Sequence, residues 1–145
     1  MSYKSETFNK LMQSAQAMNE TRDCAVKAIA VVGDLSYEDA HTLLELYGRK
    51  RKHGTKRYMT RKALKFLDLQ TKDVTDQFRD AGAKTVRTLG RVIKNKKGTY
   101  LVFTASHVLA VRDGEICDWT DGRLHRIQGV ERVEPMMAAN SEDKK

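Results

Sequence analysis

Asp23-Cys24-Ala25-Val26-Lys27-Ala28-Ile29-Ala30-Val31-Val32-Gly33 carries one charge, on Lys27, between Asp23 and Gly33. A helix apolar on nearly every side is buried on nearly every side. Ile29 to Val32 taken alone also fits a strand, but the alanines favour a helix. Asp23 is placed to cap its start and Gly33 to end it. The reading is a central helix with Ala28, Ile29 and Val32 in the core and Cys24 in its first turn.

The flanks supply what surrounds that helix. Before it, Phe8, Leu11, Met12, Ala15 and Met18 recur at helical spacing and predict a helix over residues 5–18. After it, Ser36 caps a third helix with Asp39 as the capping-box acid; Tyr37, Ala40, Leu43, Leu44 and Tyr47 form its inner face, and Gly48 ends it. Thr60 is placed to cap a fourth, carrying Ala63, Leu64 and Leu67. Val74, Phe78 and Ala81 predict a short fifth; Thr88, Leu89, Val92 and Ile93 predict a sixth, closed by Asn95-Lys96-Lys97-Gly98. Strands follow. Residues 99–104 are rich in aromatic and β-branched side chains. Residues 107–112 and 115–119 flank Asp113-Gly114, a strong hairpin signal. Residues 123–133 read as a ragged final strand with a bulge at Gly129. Helices first and strands afterwards argue an α+β domain over residues 1–135, a helical part packed on a C-terminal antiparallel sheet. Residues 136–145 read as a flexible tail.

A chain of 145 residues holds a core without metal or disulfide staples. It has 27 basic and 19 acidic residues, a net charge of +8. Such a balance favours an acidic partner, or simply keeps a protein soluble. No apolar run is long enough to span a membrane. Met1-Ser2-Tyr3-Lys4-Ser5-Glu6 lacks an apolar signal core, so a cytoplasmic location is expected. There is no Cys-x-x-Cys, His-Glu-x-x-His, Gly-x-x-x-x-Gly-Lys or Gly-x-Gly-x-x-Gly pattern, and neither metal nor cofactor is expected.

Three residues carry chemistry. Cys24 in a first helical turn feels the positive end of the helix dipole, which favours thiolate; a free cysteine there is also a good small packing residue. His107 opens a strand otherwise apolar to Val111, as a catalytic base or as a satisfied core side chain. A two-residue loop at Asp113-Gly114 pairs Arg112 with Glu115, Val111 with Ile116, Ala110 with Cys117 and Leu109 with Asp118. His107 shares a face with Leu109, so His107 and Asp118 are diagonal neighbours, about 7–8 Å apart at Cα. An imidazole and a carboxylate bridge that gap, and the carboxylate then favours the charged ring. The same register turns Cys117 to the opposite face, toward packing, and argues against a Cys24–Cys117 disulfide.

Arg22-Asp23-Cys24-Ala25-Val26-Lys27-Ala28, Gly98-Thr99-Tyr100-Leu101-Val102 and His107-Val108-x-Ala110-Val111-x-Asp113-Gly114-x-Ile116-x-Asp118 together resemble papain-like cysteine peptidases. The likeness covers residues 19–133. It is nearest to leader-peptide-processing domains of peptide exporters and to small bacteriophage proteins. The resemblance implies a papain-like fold, with Cys24 as nucleophile, His107 as general base and then acid, and Asp118 orienting the ring. It also implies a polar side chain before the cysteine that holds the oxyanion. Papain has a glutamine six residues before its cysteine, where this chain has Met18; Asn19 is the best match and Gln16 the next. The function implied is a thiol hydrolase attacking an amide or thioester of a protein or peptide; for a bacteriophage chain the resemblance implies a host protein as target, in the host cytoplasm or the virion.

Arg49, Lys50, Arg51, Lys52, Lys56, Arg57, Arg61 and Lys62 make 8 of the 14 residues from 49 to 62 basic. This stretch reads as a loop between helices with three roles open: a solvated surface, a site for nucleic acid or an acidic host protein, or a rim selecting acidic substrates. Only Tyr58 offers a base-stacking ring there. The alternative function is accordingly a non-catalytic binder using Arg49 to Lys52, Lys56 and Arg57.

Overall fold

The computed structural model describes residues 3–136. Six helices and five strands occur in the order α1 (Glu6–Ala17), α2 (Cys24–Val32), α3 (Tyr37–Leu46), α4 (Arg57–Phe66), β1 (Leu69–Asp73), α5 (Thr75–Asp80), α6 (Val86–Ile93), β2 (Thr99–Thr104), β3 (His107–Arg112), β4 (Glu115–Cys117) and β5 (Gly129–Pro135). The strands form one antiparallel sheet ordered β1-β5-β2-β3-β4. The architecture is α+β, as the segregation of patterns predicts.

Alternation along the strands gives the sheet two apolar faces. Leu101, Val108, Ala110, Cys117 and Val133 face α2 together with residues of α1, α3 and α4. Tyr100, Val102, Leu109, Val111, Ile116 and Val130 face Phe78 of α5 and Val86, Leu89 and Ile93 of α6. Helices therefore cover both faces, rather than one helical part covering one side of a sheet. The all-round apolarity of α2 is explained by its place: Val26, Ile29 and Ala28 are buried against α1, α3, α4 and β3. Gly33 ends α2 at φ −90°, not in the left-handed region. A Cβ there would meet Leu67 Cδ1 at 2.8 Å, so glycine is needed for close approach.

The hairpin follows its two-residue turn. Asp113 (φ 48°) and Gly114 (φ 85°) are both left-handed, and the ladder pairs Ala110 with Cys117, Val111 with Ile116 and Arg112 with Glu115. Three elements differ from expectation. Residues 69–73, to which the sequence pattern assigns no element, form edge strand β1 on β5. The ragged final strand begins at Gly129, the residues before it making only an isolated bridge at Arg126. Helix α4 starts at Arg57 with Lys56 as N-cap, not at Thr60, because buried Met59 and Thr60 already belong to its inner face. The tail expected from residue 136 lies outside the described residues beyond Met136, whose N–H still donates to Asp68 O at 2.8 Å.

Candidate active site

At one end of the sheet the first residue of α2 meets the first residue of β3. Cys24, His107 and Asp118 line one cleft of about 640 Å³, with Arg57, Phe103 and Trp119 in its walls. His107 Nε2–H donates to Asp118 Oδ2 at 2.8 Å; the expected contact is made, but β4 ends at Cys117 and the Leu109–Asp118 pair from which it was read is not part of the ladder. Asp118 is buried, and its Oδ2 also accepts from the Thr120 hydroxyl at 2.6 Å and the Thr120 N–H at 3.2 Å. With Nε2 committed to the carboxylate, Nδ1 is the ring nitrogen left for the thiol. The Trp119 ring packs 5.4 Å from that of His107 and limits water at the pair.

Electrostatics follow from these contacts. Burial alone would raise the pKa of the Cys24 thiol; the neighbouring His107 ring and Val108 N–H outweigh it and hold the thiol below its ordinary value. Burial alone would lower the His107 pKa; the Asp118 hydrogen bond and the neighbouring Cys24 thiol outweigh it and lift it to about 9. The two shifts together favour a thiolate–imidazolium pair. Cys117 is buried in the core beneath α2, and desolvation pushes its thiol up to about 12. Both cysteines are free.

The head of α2 departs from the simple capping scheme. Asp23 stands at the N-cap, but its side chain does not cap the helix. It accepts instead from the Tyr37 hydroxyl at 2.6 Å and from Lys27 Nζ at 3.1 Å. First-turn amides, Cys24's included, are thereby left without a side-chain acceptor and suit an oxyanion beside the sulfur. Asn19 and Gln16 are not brought to the cleft: both are exposed, and the chain turns away through a left-handed Asn19 (φ 54°) where α1 ends.

The basic stretch splits into parts with different fates. Arg49 is buried, its guanidinium forked onto Glu20 at 3.0 and 3.2 Å, so it is no surface contact for a partner. His41 Nε2 and the Lys52 N–H (2.9 Å) complete the shell around that carboxylate. Lys50, Arg51, Lys52 and Lys56 are exposed, Arg51 donating to Met18 O. Arg57 opens α4 and lies over the Phe103 ring at 4.1 Å, in the cleft wall. Sequence reasoning missed Glu20, Phe103, Thr104 and Trp119; the adjacency of Trp119 to Asp118 was the one available signal.

No protein-family model, curated protein or solved structure matches the chain. Among the described residues, no helix is long and apolar enough to cross a membrane.

Proposed function

We propose that this chain is a thiol hydrolase of papain-like type, a cysteine peptidase or acyl-transfer enzyme. The observation that carries the reading is that Cys24 lines the same cleft as a His107–Asp118 pair bonded at 2.8 Å. In the first half-reaction the Cys24 thiolate attacks the substrate carbonyl carbon, and the oxygen takes the negative charge against first-turn amides of α2. The carbonyl then re-forms as the C–N bond breaks, and His107 gives its Nδ1 proton to the departing amine. In the second, His107 takes a proton from water; the hydroxide attacks the thioester, and the acid and the Cys24 thiolate separate. Asp118 holds the ring in register and stabilises its charged form throughout.

A non-catalytic binder draws no specific support, since Arg49 is committed to the core and Arg57 to the cleft. The test is alkylation by iodoacetamide at pH 6, read residue by residue by mass spectrometry. Cys24 is expected to label well before Cys117, and His107→Ala to slow Cys24 about tenfold or more, one pKa unit being tenfold in thiolate. Equal labelling of the two cysteines overturns the reading.

A further inference from the structure

The walls of the cleft carry more positive charge than the cleft itself uses. Its two carboxylates are spoken for: Asp23 by Lys27 and Tyr37, Asp118 by His107 and Thr120. With Arg22, Lys27, Arg57 and the imidazolium set against Asp23, Asp118 and the thiolate, the lining keeps one positive charge in excess, and Arg22 and Arg57 have no acidic partner among the described residues. Arg57 is exposed to solvent, but its guanidinium carbon lies 4.1 Å from the centroid of Phe103, which is half-buried on β2. A guanidinium held over a ring face keeps its N–H groups available for a carboxylate. Thr55 and Thr104 also line the cleft, but their hydroxyl oxygens are buried beneath its surface, so the charge of Arg57 is what a ligand meets there.

We infer that the cleft selects a peptide bearing an acidic side chain next to the bond attacked, with Arg57 as its charge partner against the Phe103 wall. The inference rests on the peptidase reading above and names its substrate class. An aliphatic or basic peptide would leave Arg57 unmatched.

The experiment uses two acetylated tripeptide vinyl sulfones, Ala-Ala-Glu and Ala-Ala-Lys, and follows alkylation of Cys24 by intact mass. Each rate is divided by that protein's own iodoacetamide rate, which removes differences in thiol reactivity. The Glu probe is expected to react at least about fivefold faster at low salt, the scale of one charge pair in a partly solvated site. The ratio should approach one in Arg57→Gln, persist in Arg57→Lys, and shrink in the unaltered protein as salt rises to ~0.5 M, an effect that needs no variant to fold. No preference for the Glu probe, or a preference surviving in Arg57→Gln, overturns the inference while the peptidase reading stands. If Cys24 reacts no faster than Cys117 with iodoacetamide, the peptidase reading falls and takes the substrate class with it.

Discussion

His107 is poised between two partners, and its charge depends on both. Its pKa of about 9 is the outcome of burial working against Asp118 and Cys24. The folded-state value lies above the ordinary imidazole value of about 6.5. The ion pair with Asp118 therefore stabilises the fold in full below about pH 6.5, and that contribution is lost as pH rises toward about 9. In the proposed mechanism the same proton goes to the leaving amine, so turnover should fall over the same upper range. Asp118→Asn keeps a hydrogen-bond acceptor but removes the charge. It is expected to slow acylation about 10- to 100-fold, the worth of a charge-assisted hydrogen bond. It should also move the high-pH limb below pH 9. A pH–rate profile on any substrate or thiol probe checks both; an unmoved limb would mean that Asp118 does not set the imidazole pKa.

At the scale of elements, the β3–β4 hairpin and the head of α2 build the site together. The hairpin carries His107 at one end and delivers Asp118 just past the other, so its register decides whether the two meet. Gly114 is the residue on which that register turns. Its φ is +85°, and a Cβ would sit 2.7 Å from Lys94 O and 3.1 Å from Ile93 O, both backbone atoms at the end of α6. Gly114→Ala is thus strained in conformation and in contact, and should cost roughly 1–3 kcal/mol in denaturant unfolding. Inserting a residue between Asp113 and Gly114 should do more to the site than to the fold. It shifts β4 by one position and turns Asp118 to the other face. Loss of the fast Cys24 labelling with a cooperative unfolding transition retained is the expected result.

Across the whole molecule, one buried carboxylate ties distant segments into a frame around the nucleophile. Glu20 lies four residues before Cys24 and holds Arg49, His41 and the Lys52 amide, 21 to 32 positions away in sequence. Burial alone would raise its pKa; Arg49, His41 and the Lys52 amide bring it down to about 2. A depressed carboxylate contributes stability above its unfolded pKa near 4.5 and loses it as pH falls toward about 2. Acid unfolding should accordingly steepen in that window, and Glu20→Gln should flatten it. Arg49→Ala removes the guanidinium from a buried carboxylate, leaving it only His41 and the Lys52 amide, and should cost about 3–5 kcal/mol. Alanine at exposed Lys50, Lys52 and Lys56 should leave stability within about 0.5 kcal/mol of the unaltered protein. Thermal melts of these variants separate the buried member of the basic stretch from the surface ones; a melt of Arg49→Ala like those of the lysine variants would remove the frame.

The parts readable in advance were those decided within a few residues. A two-residue Asp-Gly turn dictates strand register because both positions accept positive φ, and that register places His107 beside Asp118 on one face. The apolarity of residues 24–32 dictates a buried helix, and with it the burial of Ala28, Ile29 and Val32. Ser36 caps α3 through its own neighbour, accepting from the Asp39 N–H at 3.0 Å. Tertiary structure alone decided the rest. Asp23 has the sequence of a cap, but the Tyr37 hydroxyl 14 residues on takes its oxygen. Arg49 and Lys50 are chemically alike and adjacent, yet one is core and the other surface, because Glu20 waits on one side only. β1 has the composition of a loop and becomes a strand because the edge of β5 offers it unpaired backbone groups. Charge and backbone pairing are settled by whichever distant partner the fold brings near, and no local window of sequence contains that partner.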